Sequence, residues 1–344
     1  MLLDACLPKR SPQPVFADDA DFRLLNDFQR DFPLVTRPFA RIAGELGITE
    51  SDVLSRLAAL RDGGTVSRVG PVFSPRRVGA STLAALKAPP EHLEAIAAVV
   101  SAHPEINHNY AREHAWNLWF VVAAPDAVAL ARVLREIRRE TGCPVIALPL
   151  RVEYHIDLGF DLAGRGRTAS NVSYGPVVPE LLSDTEVAVM KALQTGLPLL
   201  GRPFASVGNS AGVSEAVVLD TVRDWLARGI VKRFGVVVRH HELGYRANAM
   251  CVWDVPDARV DAVGERLAAA EGVNLCYRRA RADGVWPYNL YCMIHGHDQA
   301  SVRAQLARIV AQCALADYPS EVLFSTRRFK QCGARYAAEC KGDD

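Results

Sequence analysis

The sequence lacks several features that would place it in a common class of protein. Its 344 residues include 40 Lys and Arg against 39 Asp and Glu, so the formal net charge is only +1. Proteins that bind nucleic acid mainly by neutralising phosphates usually have a basic excess. The eight cysteines form no C-x-x-C pair and no C-x-x-C-H motif, which leaves a zinc ribbon or a covalently attached haem without support.

Long apolar runs are also missing. No stretch approaches the ~20 apolar residues that a membrane-spanning helix needs. Asp4 and Pro8 interrupt the segment in which a signal peptide would have its apolar core, so we expect no signal peptide. The cytoplasm, where thiols stay reduced, is therefore the expected location.

What the sequence does contain is an internal repeat of about 150 residues. An R-P-F-A motif begins at Arg37 and again at Arg202, and Gly47 and Gly212 follow with the same spacing of 165 residues. The same spacing relates the later stretches V-S-R-V-G and V-K-R-F-G. Two copies are too few for a solenoid. They predict two homologous halves fused head to tail and paired as an internal pseudo-dimer.

The opening third of each copy has helical periodicity. In the first copy, Thr49 can cap a helix with Asp52 three residues later, and Gly63 ends the apolar pattern. Ser214 and Gly229 stand at the equivalent points of the second copy. A helix, a glycine turn, a capped helix and a short β run are the order of a winged helix-turn-helix.

The remaining two-thirds of each copy alternates strands and helices in the order βαββαβ, which is ferredoxin-like and makes the predicted fold class α+β. The predicted elements are 82–86, 93–100, 106–111, 117–122, 127–139 and 145–153 in the first copy, and 247–253, 260–270, 273–279, 288–294, 301–313 and 321–329 in the second. The predicted domains are a flexible N-terminal arm (1–20), helix-turn-helix modules (21–80 and 183–245), ferredoxin-like domains (81–162 and 246–336), a linker (163–182) and a C-terminal tail (337–344).

The helix-turn-helix modules raise the question of DNA binding. A recognition helix needs Arg, Lys, Asn or Gln on its outward face to reach phosphates and base edges. The second copy instead has Glu215, Asp220 and Asp224 there, and the first copy has Glu50 and Asp52. We therefore expect these modules to serve packing and pairing, and we expect no DNA binding.

Polar and aromatic residues concentrate in the hairpin between the two middle strands of each ferredoxin-like unit. Flat aromatic walls with cationic rims suit a large planar ligand that carries carboxylates. An aromatic subunit interface is the alternative. The candidates are Tyr110, Arg112, His114, Trp116 and Asn117 in the first hairpin, Arg278, Arg279, Trp286 and Tyr288 in the second, Arg239, His240, Tyr245 and Arg246 ahead of the second unit, and His155 and Lys330 on the last strands.

Three long motifs connect the chain to a known family: N-H-N-Y-x-R-E-H-x-x-N-L-W-F, K-R-F-G-V-V-V-R-H-x-x-L-G-Y-x-A-N-A-M and W-P-Y-N-L-Y-C-M-I-H-G. The overall plan resembles that of the Lrp/AsnC regulators. With the motifs, the chain resembles the siroheme decarboxylases of the haem d1 and alternative haem pathways, in the fused form in which a D-type half precedes an L-type half. The resemblance covers about residues 20–336.

The resemblance implies that siroheme loses carbon dioxide from two acetate side chains, which gives didecarboxysiroheme, and that no separate catalytic cofactor is needed. The conjugated macrocycle can spread the negative charge left on the exocyclic carbon, which must then receive a proton. Histidine suits that role because its ordinary pKa near ~6.5 allows it to donate at neutral pH. A histidine could instead bind the siroheme iron; no protein-held metal site is predicted.

Roles follow from the motifs. We predict that His114 donates the proton from a strand face shared with Tyr110 and Arg112. The second copy has no histidine at the matching position, so His240 is the substitute, and only one of His240 and its neighbour His241 is expected to enter the site. Arg246, Arg278, Arg279 and Lys330 are expected to clamp propionates. Arg239, Tyr245, Trp116, Asn117, Trp286, Tyr288 and His155 complete the predicted contacts, whereas His295 and His297 are expected to be structural or exposed.

Two other functions stay open at this point. A ligand-responsive transcriptional regulator of the Lrp/AsnC type would bind DNA with a steep dependence on salt. A tetrapyrrole carrier or inactive scaffold would bind siroheme and release no carbon dioxide. The expected partners are the tetrapyrrole and either a second copy of the chain or a homologous fusion, and no membrane.

Overall fold

A computed structural model describes residues 19–156, 180–238, 247–334 and 336. Most of the predicted arm and linker and all of the predicted tail lie outside these ranges. The predicted domain boundaries stay predictions, although the first helix already begins at Asp19. Within the described ranges, no helix is long and apolar enough to cross a membrane.

The two copies have the same succession of elements, as the repeat predicts. The first comprises α1 (Asp19–Asp27), α2 (Pro38–Leu46), α3 (Glu50–Asp62), β1 (Val66–Phe73), α4 (Pro75–Val78), β2 (Ala80–Leu86), α5 (Leu93–Ala102), β3 (Ile106–Arg112), β4 (Leu118–Ala124), α6 (Ala127–Thr141) and β5 (Val145–Ile156). The second comprises α7 (Asp184–Leu193), α8 (Pro203–Ala211), α9 (Glu215–Arg228), β6 (Val231–Val238), β7 (Ala247–Trp253), α10 (Val260–Ala269), β8 (Val273–Arg279), β9 (Leu290–Gly296), α11 (Gln299–Gln312) and β10 (Ser320–Gln331). The predicted helix-turn-helix and βαββαβ orders are both confirmed.

Local signals in the sequence account for the ends of the helices. The capping box at the start of α3 is present: the Asp52 N–H donates to Thr49 Oγ1 at 3.1 Å, and the Thr49 N–H donates to Asp52 Oδ2 at 3.1 Å. In the turns that follow α2 and α8, Gly47 and Gly212 have φ angles of 71° and 70°. Only glycine adopts this left-handed conformation without strain, so both helices end there.

The two ferredoxin-like units form one closed antiparallel sheet in the order β10-β3-β4-β2-β5-β8-β9-β7. The first unit contributes four consecutive strands, β3-β4-β2-β5, and the second contributes the other four. Two equivalent junctions join the units. Leu150 on β5 lies opposite Arg279 on β8, and Ser325 on β10 lies opposite Arg112 on β3. Each unit thereby covers the free edges of the other.

The helix-turn-helix modules also pair across the two halves. Each module supplies a single strand, and β1 pairs with β6 into a two-stranded antiparallel sheet, here called the wing sheet, in which Gly70 lies opposite Gly235. The modules share one apolar core. The ring of Phe32 lies 5.8 Å from that of Phe39 in its own module and 5.7 Å from that of Phe234 in the other.

Tyr154 ties the first half into the core of the second. It lies at the junction strand β5, is 1% exposed, and packs in the apolar cluster beneath α10 and α11. Its hydroxyl donates to Asp261, and its ring packs directly against Gly264 on α10. A Cβ at Gly264 would lie 2.3 Å from the ring, so only glycine allows this approach.

We therefore expect Gly264→Ala to lower the free energy of unfolding by about 1–3 kcal/mol, because the added methyl overpacks the junction. The matched control is Gly44→Ala on α2, where a Cβ would meet nothing within 4 Å. The control should gain up to about 1 kcal/mol from helix propensity. Urea unfolding of both variants measures the difference, and equal effects would contradict this account of the junction.

Candidate active site

Two adjoining cavities, of about 350 and 320 Å³, lie between the inner face of the closed sheet and the wing sheet. Both halves supply the walls at equivalent positions. The walls include Tyr110, Arg112 and Trp119 from the first half, and the equivalent Tyr277, Arg279 and Tyr291 from the second. Because the cavities lie where the halves meet, the chain forms one composite site here.

Arg112 and Arg279 are equivalent residues at the ends of β3 and β8. The Nη1 of each donates to a main-chain carbonyl, that of Leu323 at 2.8 Å and that of Leu148 at 3.1 Å. Each guanidinium also lies over a tyrosine ring of its own strand, with the centroids 5.9 Å and 5.1 Å away. The main chain and the ring together fix the direction in which each guanidinium points.

Neither guanidinium forms an ion pair with a described carboxylate, and Glu153 acts on Arg279 only as a minor influence on its pKa. The buried Nε of Arg112 and that of Arg279 lack a hydrogen-bond partner, and no described carboxylate forms an ion pair with either side chain. Burial lowers the pKa of Arg112 to about 10 and also lowers the pKa of Arg279. A buried cation without an anion is costly, so these two positions indicate an anionic ligand. Glu153, which also lines the cavity, is ion-paired with Lys232.

His295 on β9 is held by hydrogen bonds at both ring nitrogens. Its Nε2 lies 3.0 Å from Asn248 Nδ2, and its Nδ1 lies 2.9 Å from Asn274 Oδ1. Since an amide oxygen only accepts, Nδ1 carries the hydrogen and Nε2 is the acceptor. Arg112 Nη1 contacts the same Asn248 at 3.5 Å. Burial, and secondarily Arg112, lower the pKa of His295 to about 4, so the ligand-free ring is neutral at pH 7.

His108 lines the cavities from the opposite half. It precedes Tyr110 by two residues on β3, and the two rings stack with centroids 6.2 Å apart and planes 17° apart. Burial, and secondarily Arg68, lower the pKa of His108 to about 4. The site thus contains two neutral histidines, His108 and His295. Their positions are not equivalent in the repeat, because the counterpart of His108 is Leu275.

His114 does not reach the cavities, and the prediction that it shares a strand face with Tyr110 and Arg112 is wrong. β3 ends at Arg112, and the chain then turns, with the His114 N–H donating to the Arg112 carbonyl at 2.9 Å. The His114 Nδ1 accepts from the Trp116 N–H at 2.9 Å, and the ring lies edge-on to Trp286. Strand alternation stops where the strand stops, so His108, and not His114, is the histidine on this face.

The predicted aromatic residues Trp116, Trp286 and Tyr288 pack behind the cavity wall. The Trp286 ring lies 5.0 Å from that of Trp119, and its Nε1 donates to the Tyr291 hydroxyl at 2.7 Å. Trp119 and Tyr291 line the cavity, so the predicted residues support the rings that line it.

Asn117 has a structural contact in place of the predicted ligand contact. Its side chain exchanges hydrogen bonds of 2.9 and 2.8 Å with the main chain of Ala88. Asn289, its counterpart in the second copy, makes the same pair of bonds, of 3.0 and 2.9 Å, to Val255. These two asparagines therefore hold equivalent loops, which explains why the motif occurs twice.

Three predicted contact residues do not line either cavity. Arg278 is ion-paired with Asp257 and Asp261 on the helix side of β8. Lys330 donates to the carbonyls at the end of α5, and His155 is buried opposite β8 without lining either cavity. Adjacent strand residues face opposite sides of a sheet, so Arg279 faces inward and Arg278 outward. The other predicted residues, Arg239, His240, Tyr245 and Arg246, lie outside the described residues.

The residues that sequence reasoning missed are His108, His295, Lys232 and Glu153. His108 is part of the N-H-N-Y-x-R-E-H motif, and its alternation with Tyr110 and Arg112 is the signal that places it on their strand face. His295 was expected to be structural or exposed, but it lines both cavities. Within the described ranges, no three His, Cys, Asp or Glu side chains are grouped so that they could hold a metal ion.

Comparisons with known proteins agree with this architecture. Residues 77–155 and 242–330 match the AsnC-like ligand binding domain, and residues 21–66 and 186–231 match the siroheme decarboxylase NirDL-like HTH domain. The chain is thus a tandem protein of the AsnC-like class, in which each half has both domains.

Relatives that match nearly the whole chain identify its family within this class. The siroheme decarboxylase NirDL subunit of Paracoccus pantotrophus is 46% identical over 92% of this chain and 97% of its own length. The siroheme decarboxylase of Hydrogenobacter thermophilus is 32% identical over 92% of this chain and 95% of its own. The chain belongs to the siroheme decarboxylase family, in its fused NirDL form.

Solved structures agree. The crystal structure of the siroheme decarboxylase NirDL matches with a TM-score of 0.68 and 30% identity, over 93% of this chain and 95% of that one. A co-complex of siroheme decarboxylase NirDL with an iron-uroporphyrin III analogue matches with a TM-score of 0.66 and 30% identity, over 92% of this chain and 93% of that one.

The lowered pKa of His295 predicts a stability loss in acid. Its pKa is about 4 in the folded chain and 6.5 when unperturbed. Between these values the unfolded chain binds the proton and the folded chain does not, so the free energy of unfolding falls as the pH falls from 6.5 towards 4. One such group contributes at most about 1.4 kcal/mol per pH unit.

Replacing His295 with Asn should therefore make this decline shallower in urea unfolding of the ligand-free protein between pH 7 and 4.5. His297→Asn, two residues further along and exposed, is the control and should keep the wild-type slope. If the free energy of unfolding fell equally with pH in the wild type and in His295→Asn, the lowered pKa of His295 would be disproved.

Proposed function

We propose that this chain decarboxylates siroheme, converting two acetate side chains into methyl groups and so yielding didecarboxysiroheme for haem d1 synthesis. The observation that carries the proposal is the pair of equivalent guanidiniums, Arg112 and Arg279, which face one cavity and form no ion pair with a described carboxylate. Siroheme is a planar tetrapyrrole with several carboxylates, and it supplies the anions that these positions need.

The cavity suits such a molecule in shape as well as in charge. The rings of Tyr110, Tyr277, Trp119 and Tyr291 offer apolar faces to a flat macrocycle. Arginine binds carboxylates through two parallel hydrogen bonds, which fix orientation as well as position. A macrocycle held at both equivalent edges would have its carboxylates near Arg112 on one side and Arg279 on the other.

The reaction breaks the bond between an acetate carboxyl and its methylene carbon. Carbon dioxide leaves, the electron pair stays on the carbon and is spread over the macrocycle, and a proton then completes the methyl group. The protein must aim the ionised carboxylate out of the ring plane and supply the proton. The substrate itself accepts the electron pair, so we propose no separate cofactor and no catalytic metal held by the protein.

We propose His295 as the proton donor, in place of His114, because Asn248 contacts both His295 and the carboxylate-binding Arg112. The neutral ring of the ligand-free protein becomes a stronger base when substrate carboxylates enter, since a nearby negative charge raises the pKa of histidine. We propose that Nε2 then exchanges its hydrogen bond from Asn248 for the substrate, takes up a proton and delivers it to carbon. His108 is positioned to serve the other half of the cavity, and His240 stays a candidate from the sequence.

The surface of the helix-turn-helix modules supports an enzyme over a DNA-binding regulator. Arg228 on α9 is ion-paired with three carboxylates. Arg223 pairs with a carboxylate of its own helix and donates to the Leu34 carbonyl of the other module, and Arg56 on α3 pairs with Asp21. The few cations of the two recognition helices are thus already neutralised, so we propose that the chain does not bind DNA.

The remaining parts of the proposal concern location and assembly. We propose that the two halves act as an internal pseudo-dimer, because their sheets pair through two equivalent junctions. Relatives include separate NirD and NirL subunits, which makes pairing with a second copy or a homologous fusion the natural further assembly. A cytoplasmic location fits the free, mostly buried cysteines.

Anaerobic incubation of the purified protein with siroheme, followed by mass analysis, tests the reaction directly. Two successive losses of carbon dioxide are expected. Arg279→Lys should lower kcat/KM by about 10- to 100-fold, because lysine cannot replace the paired hydrogen bonds. Arg278→Lys, one residue away on the outer face, is the matched control and should stay within about twofold of the wild type.

Binding of siroheme without loss of carbon dioxide by the wild type would refute the enzymatic proposal and favour a carrier. Equal effects of the two lysine variants would instead place the carboxylates elsewhere.

The histidine assignment has its own test in the same assay. His295→Ala should lower kcat by about 10²- to 10⁴-fold, the range that general acid catalysis contributes. His114→Ala should keep most of the activity, because that ring lies outside the cavities. His108→Ala and His240→Ala, measured alongside, show which second histidine takes part. A full rate for His295→Ala would exclude it as the donor.

A further inference from the structure

The wing sheet contains two arginines at the same position of the repeat, with different surroundings. Arg233 on β6 donates to the main-chain carbonyls of Gln29 and, at 3.1 Å, of Val236, both through Nη1. Arg68 on β1 is its counterpart and makes the equivalent bond, from Nη2 to the Pro71 carbonyl at 2.9 Å. The second acceptor, provided for Arg233 by the turn that follows α1, has no equivalent at Arg68.

Arg68 therefore keeps unused hydrogen-bond donors inside the protein. Among the described residues, its guanidinium makes no other hydrogen bond and no ion pair, and its buried Nε has no partner. The side chain lines the cavity beneath the wing sheet together with His108, whose pKa it helps to lower. Arg112 and Arg279 line the adjoining cavity, and His108, Tyr277 and His295 line both, so the Arg68 cation lies on the wing side of one continuous lining.

Glycines hold the Arg68 side chain in place. A Cβ at Gly196 would lie 2.9 Å from the Arg68 Cβ, and a Cβ at Gly333 would lie 2.8 Å from its Nη1. The Leu197 N–H donates to the Val69 carbonyl at 2.7 Å and fixes the loop against the strand. The main chain thus encloses both the stem and the head of Arg68, which lowers the entropy lost when an anion binds.

We infer that Arg68 binds a carboxylate of the tetrapyrrole from the wing side, so that the first helix-turn-helix module supplies part of the substrate site. This inference rests on the proposed function. The helix-turn-helix modules thereby gain a direct role in substrate binding, although the cations of their recognition helices are already ion-paired. Arg68 acts as a positioning residue for the macrocycle, opposite the arginines of the closed sheet.

Binding of two iron porphyrins tests the inference. Iron-uroporphyrin III carries acetates and propionates, and iron-coproporphyrin III has methyl groups in place of the acetates. Dissociation constants are measured by absorbance titration for the wild type, Arg68→Gln, Arg68→Lys and Arg223→Gln. The last variant removes one exposed arginine of α9 and is the matched control for charge.

Arg68→Gln should raise the Kd for iron-uroporphyrin III by about 10- to 100-fold, as expected for the loss of a charged hydrogen bond. Arg68→Lys should raise it less, and Arg223→Gln should leave it within about twofold. In turnover, the Arg68 variants should raise KM more than they lower kcat, because a carboxylate away from the reacting carbon is bound equally in the ground and transition states. An effect confined to iron-uroporphyrin III assigns Arg68 to an acetate, and an equal effect on both assigns it to a propionate.

Unchanged Kd values for both porphyrins in both Arg68 variants would overturn the inference, as would a lowered unfolding midpoint with no change in Kd. Arg68→Lys keeps the charge and the stem, so it provides the measurement should the Gln variant fail to fold. These outcomes are separate from a failure of the proposed function, which would appear as a wild type that converts no siroheme.

Discussion

Reciprocal strand pairing between the halves is the constraint on which the rest of the structure depends. β5 pairs with β8 and β10 pairs with β3, so that four strands from each half close into one sheet. Closure removes the free edges of both units and leaves an interior that neither unit encloses alone. This pairing brings together the parts of the cavity that come from different halves. They are the cavity walls, the two equivalent arginines and the wing sheet above them.

Within this nearly symmetric frame, the residues proposed for catalysis differ between the halves. The arginines, the tyrosines beneath them and the asparagines that hold the loops occur in both halves. Each histidine occurs in one half only. The counterpart of His108 is Leu275, and the counterpart of His295 is Ala123. Arg68 and Arg233 also differ, since Arg233 donates to two main-chain carbonyls and Arg68 to one. Residues that occur in both halves thus form the cavity and give it positive charge. Residues that occur in only one half distinguish its two sides.

Local patterns in the sequence predicted the elements well and their partners poorly. Thr49, Asp52, Gly47 and Gly212 carry capping and turn signals that act within a few residues, and the helices end where these signals are. The partner of β1 is a strand more than a hundred residues away, and no periodicity specifies it. Only some residues of the candidate site were predicted from the sequence, for a related reason. Tyr110, Arg112 and Arg279 follow strand alternation, whereas His114 was assigned from a motif that continues past the end of β3, and Arg68 belongs to a module that appeared unrelated to the site.

The shared wing sheet has an evolutionary consequence. Because β1 and β6 pair only with each other among the described strands, and because the modules share one apolar core, each half pairs with the other, unlike half of the same chain. Separate subunits would have to discriminate against pairing with themselves, whereas fusion into one gene removes that competition. A histidine gained or lost in one half is then inherited together with the complementary change in the other. Covalent linkage thus allows the two sides to specialise without a mechanism for partner choice.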